Sequence, residues 1–433
     1  MAMKLTRRIF QVDGVVFGER TALCGGRLVI NKQELVELVL TVPGVARVDV
    51  ELVSPGESAR IIHVLDTIQP QLKLAGGDAY PGILTGPGLV GNGITNVLSN
   101  VAVMECAALP WNTTGLMYAR EAIVDMTGPI AGFTPFSGTF NVVLRMNLVE
   151  GKSDPEYDTI VRMAGMKVAA RLAETTRDRE PASTEEYDLE SRARPGLPNI
   201  AYVYQVQNQG TYSNTLLYGK SVDNLVPTPL HPNEMLDGAL VSGNYVWPAF
   251  KIPSFIHANA PVLEELYRGH GVTHNFVGVV LSRGHNYSHF EKVRSANFAV
   301  KLVQSLKADG MIITWEGGGN AATDAMLTIQ AAERTGIKCT ALCFEFGGPD
   351  GTEGILLVDD VPEATALVSG GSIEKPVSLP AVERAAGGDY LRLGREFGGE
   401  LVAATSALEF DTTTLLYCSG NQAGHSRLIG RAY

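Results

Sequence analysis

The sequence predicts an α/β protein in which a strand-rich N-terminal domain precedes a doubly wound, mainly parallel α/β domain. Short apolar runs separated by Gly and Pro turns dominate the first 150 residues. After residue 199, strand-like and helix-like runs alternate, a pattern typical of parallel strands joined by right-handed crossovers. A charged, proline-containing stretch separates the two patterns. We therefore predict domains at residues 1–180 and 199–433, with a linker at 181–198.

The N-terminal elements follow from short periodic runs of apolar residues. Strands are predicted at residues 46–53, 60–65 and 141–149, and a short helix at residues 31–40. Residues 154–176 give an amphipathic helix, with Asp154 placed to cap it and Pro155 suited to its first turn. The first domain is therefore predicted to be mostly strands and to close with a helix.

The C-terminal elements alternate between the apolar patterns typical of strands and of helices. Strands are predicted at residues 201–206, 275–281, 310–315 and 339–344, and helices at residues 261–267, 295–306 and 323–334. In open parallel sheets the ligand crevice lies beyond the carboxyl ends of the strands. The loops after residues 281, 315 and 344 are therefore the first candidates for chemistry.

Composition excludes several functional classes. The chain has 35 Lys and Arg against 46 Asp and Glu, a formal net charge of −11, which disfavours a nucleic acid or an anionic membrane as partner. Its apolar runs are far shorter than the ~18 residues of a membrane span. Five cysteines at irregular spacing indicate neither a disulfide framework nor a zinc ribbon. We expect a cytoplasmic protein.

The loop after residue 315 reads Glu316-Gly317-Gly318-Gly319-Asn320 and leads into a helix whose first turn holds Asp324. Its glycines free backbone N–H groups to approach an anion or polar ligand at the positive helix end, with a glycine-rich turn and an ordinary N-cap as the alternative. Glu345 holds the corresponding position after the next strand. The two carboxylates are interpreted as metal ligands or an acid/base pair, with solvated edge acids as the alternative.

The histidines and cysteines indicate no metal site by spacing alone. Six of eight histidines lie between His231 and His289, and His285 and His289 are four apart. The residues between them favour a loop over a zinc-binding helix, so surface or capping roles are preferred. Cys339 and Cys343 lack a redox or zinc spacing and are expected to be buried small hydrophobic residues.

Residues 231–245 form the most unusual stretch, with polar and acidic residues around a short apolar run. It ends in Ser242-Gly243-Asn244, which predicts a tight turn.

Several ordered blocks carry a family resemblance. They are residues 53–61, 123–129, 133–137, 161–165, 231–244, 297–306 and 308–310. Through them the chain resembles the proprotein subunit of component B of the glycine, sarcosine and betaine reductases, with the D-proline reductase proprotein a more distant relative. The resemblance covers nearly all 433 residues and implies the family's fold and a cytoplasmic location.

The resemblance also implies a cofactor that this sequence does not support. Members of the family cut themselves after the Ser-Gly-Asn sequence, before a cysteine that becomes a pyruvoyl group and forms a Schiff base with the substrate amine. A partner subunit bearing selenocysteine or cysteine then cleaves the C–N bond reductively. Here Ser242, Gly243 and Asn244 match but the next residue is Tyr245, which has no heteroatom on Cβ. We predict an uncleaved chain without a pyruvoyl group.

Two hypotheses follow, and both include a complex with a second component-B-like subunit. In the first, the cleft still binds a small N-substituted amino acid or amine, and Tyr245 or a divalent metal replaces the carbonyl. The predicted catalytic residues are Tyr245, Glu316, Glu345 and His257. The predicted substrate-binding residues are His231, Glu234, Asp237, Ser242, Asn244, Gly318, Asn320 and Asp324. In the second, the chain is a non-catalytic scaffold for the partner that bears the thiol or selenol.

Overall fold

The structure is a computed structural model of the chain, and its α/β class is the one that the sequence predicts. It describes residues 3–109, 122–208, 210–245, 247–349, 360–393 and 400–425. The side chains of residues 210–213, 244 and 245 also lie outside this description.

Up to residue 198 the described chain consists mainly of short strands, as predicted. The strands are β1 (Lys4–Gln11), β2 (Gly14–Phe17), β3 (Ala22–Cys24), β4 (Arg27–Ile30), β5 (Val45–Val53), β6 (Ala59–Ile61), β7 (Val64–Ile68), β8 (Gln71–Ala75), β9 (Gly93–Ser99), β10 (Val101–Ala107), β11 (Val124–Asp125), β12 (Phe140–Leu148) and β13 (Ser183–Asp188). The helices are α1 (Lys32–Leu40) and α2 (Asp154–Ala173), with 3-10 turns at Ala131–Phe133, Pro135–Gly138 and Glu174–Thr176.

The single strand predicted at residues 60–65 is divided between two sheets. β6 pairs with β11, whereas β7 pairs with β10. His63 lies between them with a φ of 58°, a left-handed conformation that a regular strand does not contain. The prediction was wrong because the apolar pattern continues through this bend.

The start of α2 differs from the prediction by one residue. Ser153 is the N-cap, and its backbone N donates to Glu156 Oε2 at 2.9 Å in a capping box. Asp154 is the first helical residue, so its predicted capping role is wrong, while Pro155 lies in the first turn as expected. The helix buries residues such as Val161, which pack in the N-terminal core.

Two four-stranded sheets organise the N-terminal half. One has the order β5-β12-β10-β7 and packs against α1 and α2, and the other has the order β13-β1-β9-β8. β13 pairs antiparallel with β1, with Lys4 opposite Asp188. Six residues of the segment predicted as a linker, Ser183–Asp188, are thus the edge strand of an N-terminal sheet.

From residue 199 onward strands and helices alternate. The strands are β14 (Asn199–Val206), β15 (Gly210–Ser213), β16 (Leu216–Leu217), β17 (Lys220–Ser221), β18 (Thr228–Leu230), β19 (Leu240–Val241), β20 (Asn244–Tyr245), β21 (Asn275–Arg283), β22 (Gly310–Trp315), β23 (Lys338–Glu345), β24 (Leu367–Ser372), β25 (Val377–Leu379), β26 (Arg384–Ala386), β27 (Tyr390–Leu393), β28 (Glu400–Ala403) and β29 (Leu408–Phe410). The helices are α3 (Pro232–Leu236), α4 (Ser254–His257), α5 (Pro261–Gly269), α6 (His289–Ser305) and α7 (Asn320–Glu333), with a 3-10 turn at Pro248–Phe250. All four predicted strands of this half occur, and α5, α6 and α7 correspond to the predicted helices.

The main sheet has the order β18-β21-β14-β22-β23-β24. All neighbours are parallel except β18, which pairs antiparallel with β21 at the edge. After β14 the chain adds β21 on one side and then β22 on the other side. The direction of winding therefore reverses between β14 and β22, which is where ligands bind in open α/β sheets.

The side chains of β14 point alternately to the two faces of this sheet. Ala201 and Val203 pack in a core with α6 and α7. Tyr202 and Tyr204 point to the other face and join a core that contains α5 residues such as Leu263 and N-terminal residues such as Met104. This second core connects the two predicted domains.

The C-terminal segment returns to the N-terminal half. β26 pairs parallel with β6, with Arg384 opposite Ala59. Cys339 and Cys343 are buried in the core of the main sheet, as expected, and all five cysteines are free thiols. No helix among the described residues is long and apolar enough to span a membrane.

Arg60 connects the C-terminal segment to the N-terminal half and forms a fully buried ion pair. Its Nε and Nη2 donate to the two carboxylate oxygens of Asp125 at 2.6 and 3.0 Å. The same guanidinium donates to the carbonyls of Ala404, Ser406 and Pro380 at 2.7–2.8 Å. One side chain thus binds strand β11 and two C-terminal loops.

Replacing Arg60 with methionine should lower the free energy of unfolding by about 3–5 kcal/mol, because the buried Asp125 carboxylate would lose its counter-ion. Urea unfolding followed by circular dichroism measures the change. Arg268→Met is the matched control, because Arg268 pairs with Glu265 at the surface and should change stability by about 1 kcal/mol or less. Equal effects of the two substitutions would contradict the proposed anchoring role of Arg60.

Candidate functional site

The site lies where the winding of the main sheet reverses. Gln207 follows β14 and Glu316 follows β22, and the backbone N of Gln207 donates to Glu316 Oε2 at 3.0 Å. This hydrogen bond joins the carboxyl ends of the two strands that flank the reversal. The predicted residue Glu316 therefore occupies the crevice position expected for this topology.

Glu316 is a buried carboxyl group without an ion-pair partner at hydrogen-bond distance among the described residues. It is 1% exposed, and its Oε1 accepts from the backbone N of Ile252 at 2.7 Å. Burial raises the pKa of Glu316 to about 7, although the two backbone hydrogen bonds act in the opposite direction. This carboxyl can therefore exchange a proton near neutral pH.

Lys251 sits beside Glu316 and binds three separate segments. Its Nζ donates to Gly243 O at 2.9 Å and to Leu65 O, and it lies 3.6 Å from Asp66 Oδ1. Its side chain is 3% exposed. A buried cation thus holds the backbone carbonyl two residues before Tyr245.

Ser254 completes this arrangement on the other side of Asp66. Its backbone N and its Oγ donate to the Asp66 carboxylate at 3.1 and 2.5 Å. The Ser254 Oγ also accepts from the backbone N of Ser242 at 2.9 Å. Ser242, predicted to bind substrate, is therefore fixed through its backbone.

A second buried carboxyl group lies behind Asp66. Glu105 is directly opposite Asp66 in the β10–β7 ladder. Burial, and then the charge of Asp66, raise the pKa of Glu105 well above its usual range. Arg162 forms an ion pair with Asp158 and donates to Ser242 O at 3.5 Å.

His257, predicted to be catalytic, belongs to the same neighbourhood. Its Nδ1 lies 2.8 Å from Tyr204 Oη, and its Nε2 has no hydrogen-bond partner within the described part of the chain. Burial, and then the charge of Lys251, lower the pKa of His257 to about 3. The imidazole is therefore neutral at physiological pH and has no proton to donate as an imidazolium.

Residues 242 and 243 form neither a turn nor a bend, and residues 244 and 245 are a strand, so the predicted tight turn is wrong. β19 pairs with β16, and β20 pairs with β15, with Asn244 opposite Ser213 and Tyr245 opposite Gly210. This ladder keeps Ser242 and Gly243 between two strands instead of in a turn. The side chains of Asn244 and Tyr245 lie outside the described residues, so their predicted roles stay predictions.

His231, Glu234 and Asp237 have structural partners away from Glu316. His231 caps α3 together with Glu234, whose Oε2 accepts from the His231 backbone N at 2.7 Å. Asp237 forms a buried ion pair with Lys73 and accepts from Thr95 Oγ1 at 2.5 Å. These contacts hold α3 and the residue after it against the N-terminal half.

The predicted residues in and after the glycine loop lie in different environments. Asn320 is exposed at the start of α7, and Gly318 lies against the rings of Phe250, Phe344 and Phe346. Asp324 forms a buried ion pair with Lys292 Nζ at 2.8 Å, which places it among the structural contacts between α6 and α7.

Among the described residues Glu345 and Glu316 have different hydrogen-bond partners, and their predicted pairing stays a prediction. It shares the strand face of Cys343, which packs toward α6 and α7, and it accepts from Ser369 Oγ at 2.5 Å. Glu316 contacts the opposite side through Ile252. No group of three or more His, Cys, Asp or Glu among the described residues is placed to hold a metal ion, so no ligand set can be named for the predicted divalent metal.

Lys251, Asp66 and Gln207 were missed by the sequence reasoning. Lys251 is the only charged residue in the apolar run from Trp247 to Pro253, and Asp66 interrupts an apolar strand. A charged residue inside an apolar run is a signal for a paired or functional group. Gln207 carries no such signal, because only the pairing of β14 with β22 brings it to Glu316.

The chain is similar to known proteins over nearly its whole length. The sequence pattern described as "Glycine/sarcosine/betaine reductase component B subunits" matches residues 3–431. The chain is 37% identical over 383 residues to the glycine reductase complex component B subunits alpha and beta of Acetoanaerobium sticklandii, covering 87% of each chain. It is 35% identical over 434 residues to the sarcosine reductase complex component B subunit alpha of Peptoclostridium acidaminophilum, covering 98% of this chain and 99% of that one. It is 34% identical over 391 residues to the betaine reductase complex component B subunit alpha of the same organism, covering 87% and 86%. No solved structure gives a significant match.

The raised pKa of Glu316 predicts a pH dependence of stability. Because its folded pKa of about 7 exceeds the ordinary value of 4.5, the protonated group contributes fully below pH 4.5, and this contribution is lost as the pH rises through 7. The stability difference between the wild type and Glu316→Gln should therefore fall by about 3 kcal/mol across that range. Urea unfolding at a series of pH values tests this.

The exposed Glu265 provides the control for the pH series. Glu265→Gln shows how much of the pH series comes from removing a surface carboxylate. If the stability difference between the wild type and Glu316→Gln does not change with pH, the pKa of Glu316 is not raised.

Proposed function

Because the chain belongs to the family of glycine/sarcosine/betaine reductase component B subunits, we propose that it is a subunit of a component-B-like complex acting on a C–N bond. The substrate class is a small N-substituted amino acid or related amine. The observation that carries this proposal is the buried carboxyl of Glu316 at the strand-order reversal, with a pKa of about 7. A group with that pKa can accept or donate a proton during bond cleavage at neutral pH.

The neighbouring residues support a binding role for this crevice. The loop from Gly317 to Gly319 and the start of α7 present backbone N–H groups at the positive end of a 14-residue helix. Such an end favours a substrate carboxylate. Lys251 and Asp66 keep the backbone before Tyr245 in place beside the loop, which leaves Tyr245 as the candidate for a second acid or base.

The chain is proposed to remain uncleaved. Scission by an acyl shift needs a heteroatom on Cβ of residue 245 to attack the preceding carbonyl, and forming a pyruvoyl group needs that heteroatom to leave. Tyr245 carries a ring on Cβ, with its oxygen at the far end of that ring. The residue does not fit a pyruvoyl precursor, so no step of the proposed chemistry passes through that group.

The partner is proposed to be a second component-B-like subunit bearing selenocysteine or cysteine, and the complex to be cytoplasmic. The relatives are described as subunits of reductase complexes. In this proposal the partner's thiolate or selenolate attacks the substrate carbon, so that a C–S or C–Se bond forms as the C–N bond breaks. This chain binds the substrate, and the protonated Glu316 donates the proton with which the amine leaves.

A second candidate function is a non-catalytic scaffold for that partner. The observation that favours it is Tyr245 itself, because the residue from which relatives would form a carbonyl group is absent. Both functions require association, so only activity measurements on variants separate them.

The processing proposal predicts one intact chain. Denaturing electrophoresis and intact-mass measurement should give a single species near 46.3 kDa. Tyr245→Cys restores a heteroatom on Cβ, with Tyr245→Ala as the matched variant that does not. Two wild-type fragments meeting after Asn244 would overturn the proposal.

The enzymatic proposal predicts that Glu316→Gln lowers kcat of the complex by about 100-fold or more, because a positioned acid or base contributes about 10²–10⁴-fold. Turnover of the chain purified with its partner measures this, with Glu265→Gln as the surface control. Full activity in both Glu316→Gln and Tyr245→Phe would instead support the scaffold function.

A further inference from the structure

One side of helix α6 exposes aromatic and basic side chains together. Tyr287, just before the helix, is 68% exposed, and Phe290 and Phe298 on the helix are 76% and 42% exposed. Arg294 and Lys301 are also exposed. Residues 290, 294, 298 and 301 follow one another at intervals of three or four, so they share one side of the helix. These five residues are called the α6 face below.

The aromatic part of the α6 face is large enough to matter for association. A covered aromatic side chain buries about 150–250 Å², so the exposed fractions of the three rings leave on the order of 400 Å² in water. Exposed apolar patches of a few hundred Å² mark interaction sites on soluble proteins. A standard interface buries about 800 Å² on each partner, and the α6 face supplies roughly half of that area.

The α6 face is basic as well as aromatic. The guanidinium of Arg294 lies 5.5 Å from the centroid of the Phe298 ring, and the Lys301 ammonium lies 5.9 Å from it. The acid in the first turn of α6, Glu291, is engaged elsewhere, because it accepts from the backbone N of Tyr287 at 3.1 Å. The whole chain has a formal charge of −11, so this face runs against the overall balance. Its complement is an acidic surface with apolar side chains.

The α6 face lies beside the crevice where the winding of the main sheet reverses. The Nζ of Lys292, in the first turn of α6, donates to the carbonyl of Asn320 at 3.0 Å. In the loop before α6, a side chain at residue 284 would begin 3.1 Å from the Ala321 side chain. The start of α6 thus packs on the start of α7, directly after the glycine loop. A protein docked on the α6 face is therefore next to the crevice.

We propose that the α6 face is the docking surface for the partner subunit that bears the thiol or selenol. The partner presents an acidic segment whose carboxylates pair with Arg294 and Lys301 and whose apolar side chains cover Phe290 and Phe298. This inference rests on the proposed function, because it locates the partner of the same crevice. A second copy of this chain fits less well, since a symmetric pair of α6 faces would bring like charges together.

Sedimentation velocity over a dilution series of the purified complex measures the affinity of the chain for its partner. Phe290→Ser and Arg294→Glu should each weaken association about tenfold, because aromatic and arginine anchors carry much of the binding energy of an interface. Arg294→Lys keeps the charge and should retain most of the affinity. Tyr390→Ser and Arg268→Glu are the matched controls, because Tyr390 is 58% exposed in β27 and Arg268 is exposed on α5.

The dependence on salt tests the charged half of the α6 face. Raising the salt concentration from about 50 to about 300 mM should weaken association of the wild type, because exposed charge pairs are screened. The double variant Arg294→Glu/Lys301→Glu should not weaken in the same way. A salt dependence that is identical in the wild type and the double variant would contradict pairing with an acidic partner.

Turnover separates this proposal from the proposed function. Phe290→Ser should raise the partner concentration for half-maximal turnover about tenfold and leave kcat at saturating partner unchanged. Glu316→Gln should instead lower kcat without weakening association. If Phe290→Ser weakens association but Glu316→Gln keeps full activity, the docking surface stands and the catalytic role of Glu316 fails.

Wild-type affinity for the partner in the double variant Phe290→Ser/Arg294→Glu would overturn the docking proposal, and a lowered kcat in Glu316→Gln would then leave the proposed function standing. A dimer of the chain alone that this double variant dissociates, with partner binding intact, would assign the α6 face to a second copy and also overturn the proposal. Purification of the chain from its own cells without a second subunit would overturn both.

Discussion

The ammonium group of Lys251 is the contact on which the arrangement of the site depends. It joins the carbonyl of Gly243, the carbonyl of Leu65 and the carboxylate of Asp66 in a place that water does not reach. Removing a buried cation from such a group leaves an uncompensated carboxylate and two unpaired carbonyls, which costs several kcal/mol. The backbone before Tyr245, the start of α4 and strand β7 are therefore held in one fixed relation.

The buried charges around Lys251 explain why Glu316 is the group that titrates. Besides the neutral His257, the buried acidic and basic side chains in this neighbourhood include Lys251, Arg162, Asp66, Asp158, Glu105 and Glu316. Lys251 and Arg162 are balanced by Asp66 and Asp158. The two remaining carboxyls, Glu105 and Glu316, have no cation to themselves, and burial raises the pKa of both. Glu316 alone combines a pKa near neutrality with a position at the strand-order reversal.

The sequence predicted the parts of this site that depend on local pattern. The strands ending at Trp315 and Glu345 and the glycine loop follow from periodicity and turn residues. The position of Glu316 was predicted from the rule that ligands bind beyond the carboxyl ends of the strands in open parallel sheets. The path of Ser242 and Gly243 between two strands could not be predicted from local pattern. It depends on the pairing of the flanking strands with β15 and β16, about 30 residues earlier.

The contacts of three other predicted residues could not be read from the sequence for the same reason. His231, Glu234 and Asp237 are polar residues close in sequence to Tyr245, yet the partner of Asp237 is Lys73, in a distant strand. These residues were predicted to lie near the site because they are close to Tyr245 in sequence. Their positions depend instead on contacts between the two halves of the chain. Lys251 was overlooked although it interrupts an apolar run, because its partners Leu65 and Asp66 become visible only in the folded chain.

The described contacts around residue 245 are made by backbone atoms. Lys251, Ser254 and Arg162 contact backbone atoms of Ser242 and Gly243, and the strand pairing of residues 244–245 is also made by backbone atoms. A change of side chain at residue 245 therefore leaves these contacts available. Tyrosine at residue 245 changes which chemistry the position can perform, while the backbone contacts of Ser242 and Gly243 are made in its presence.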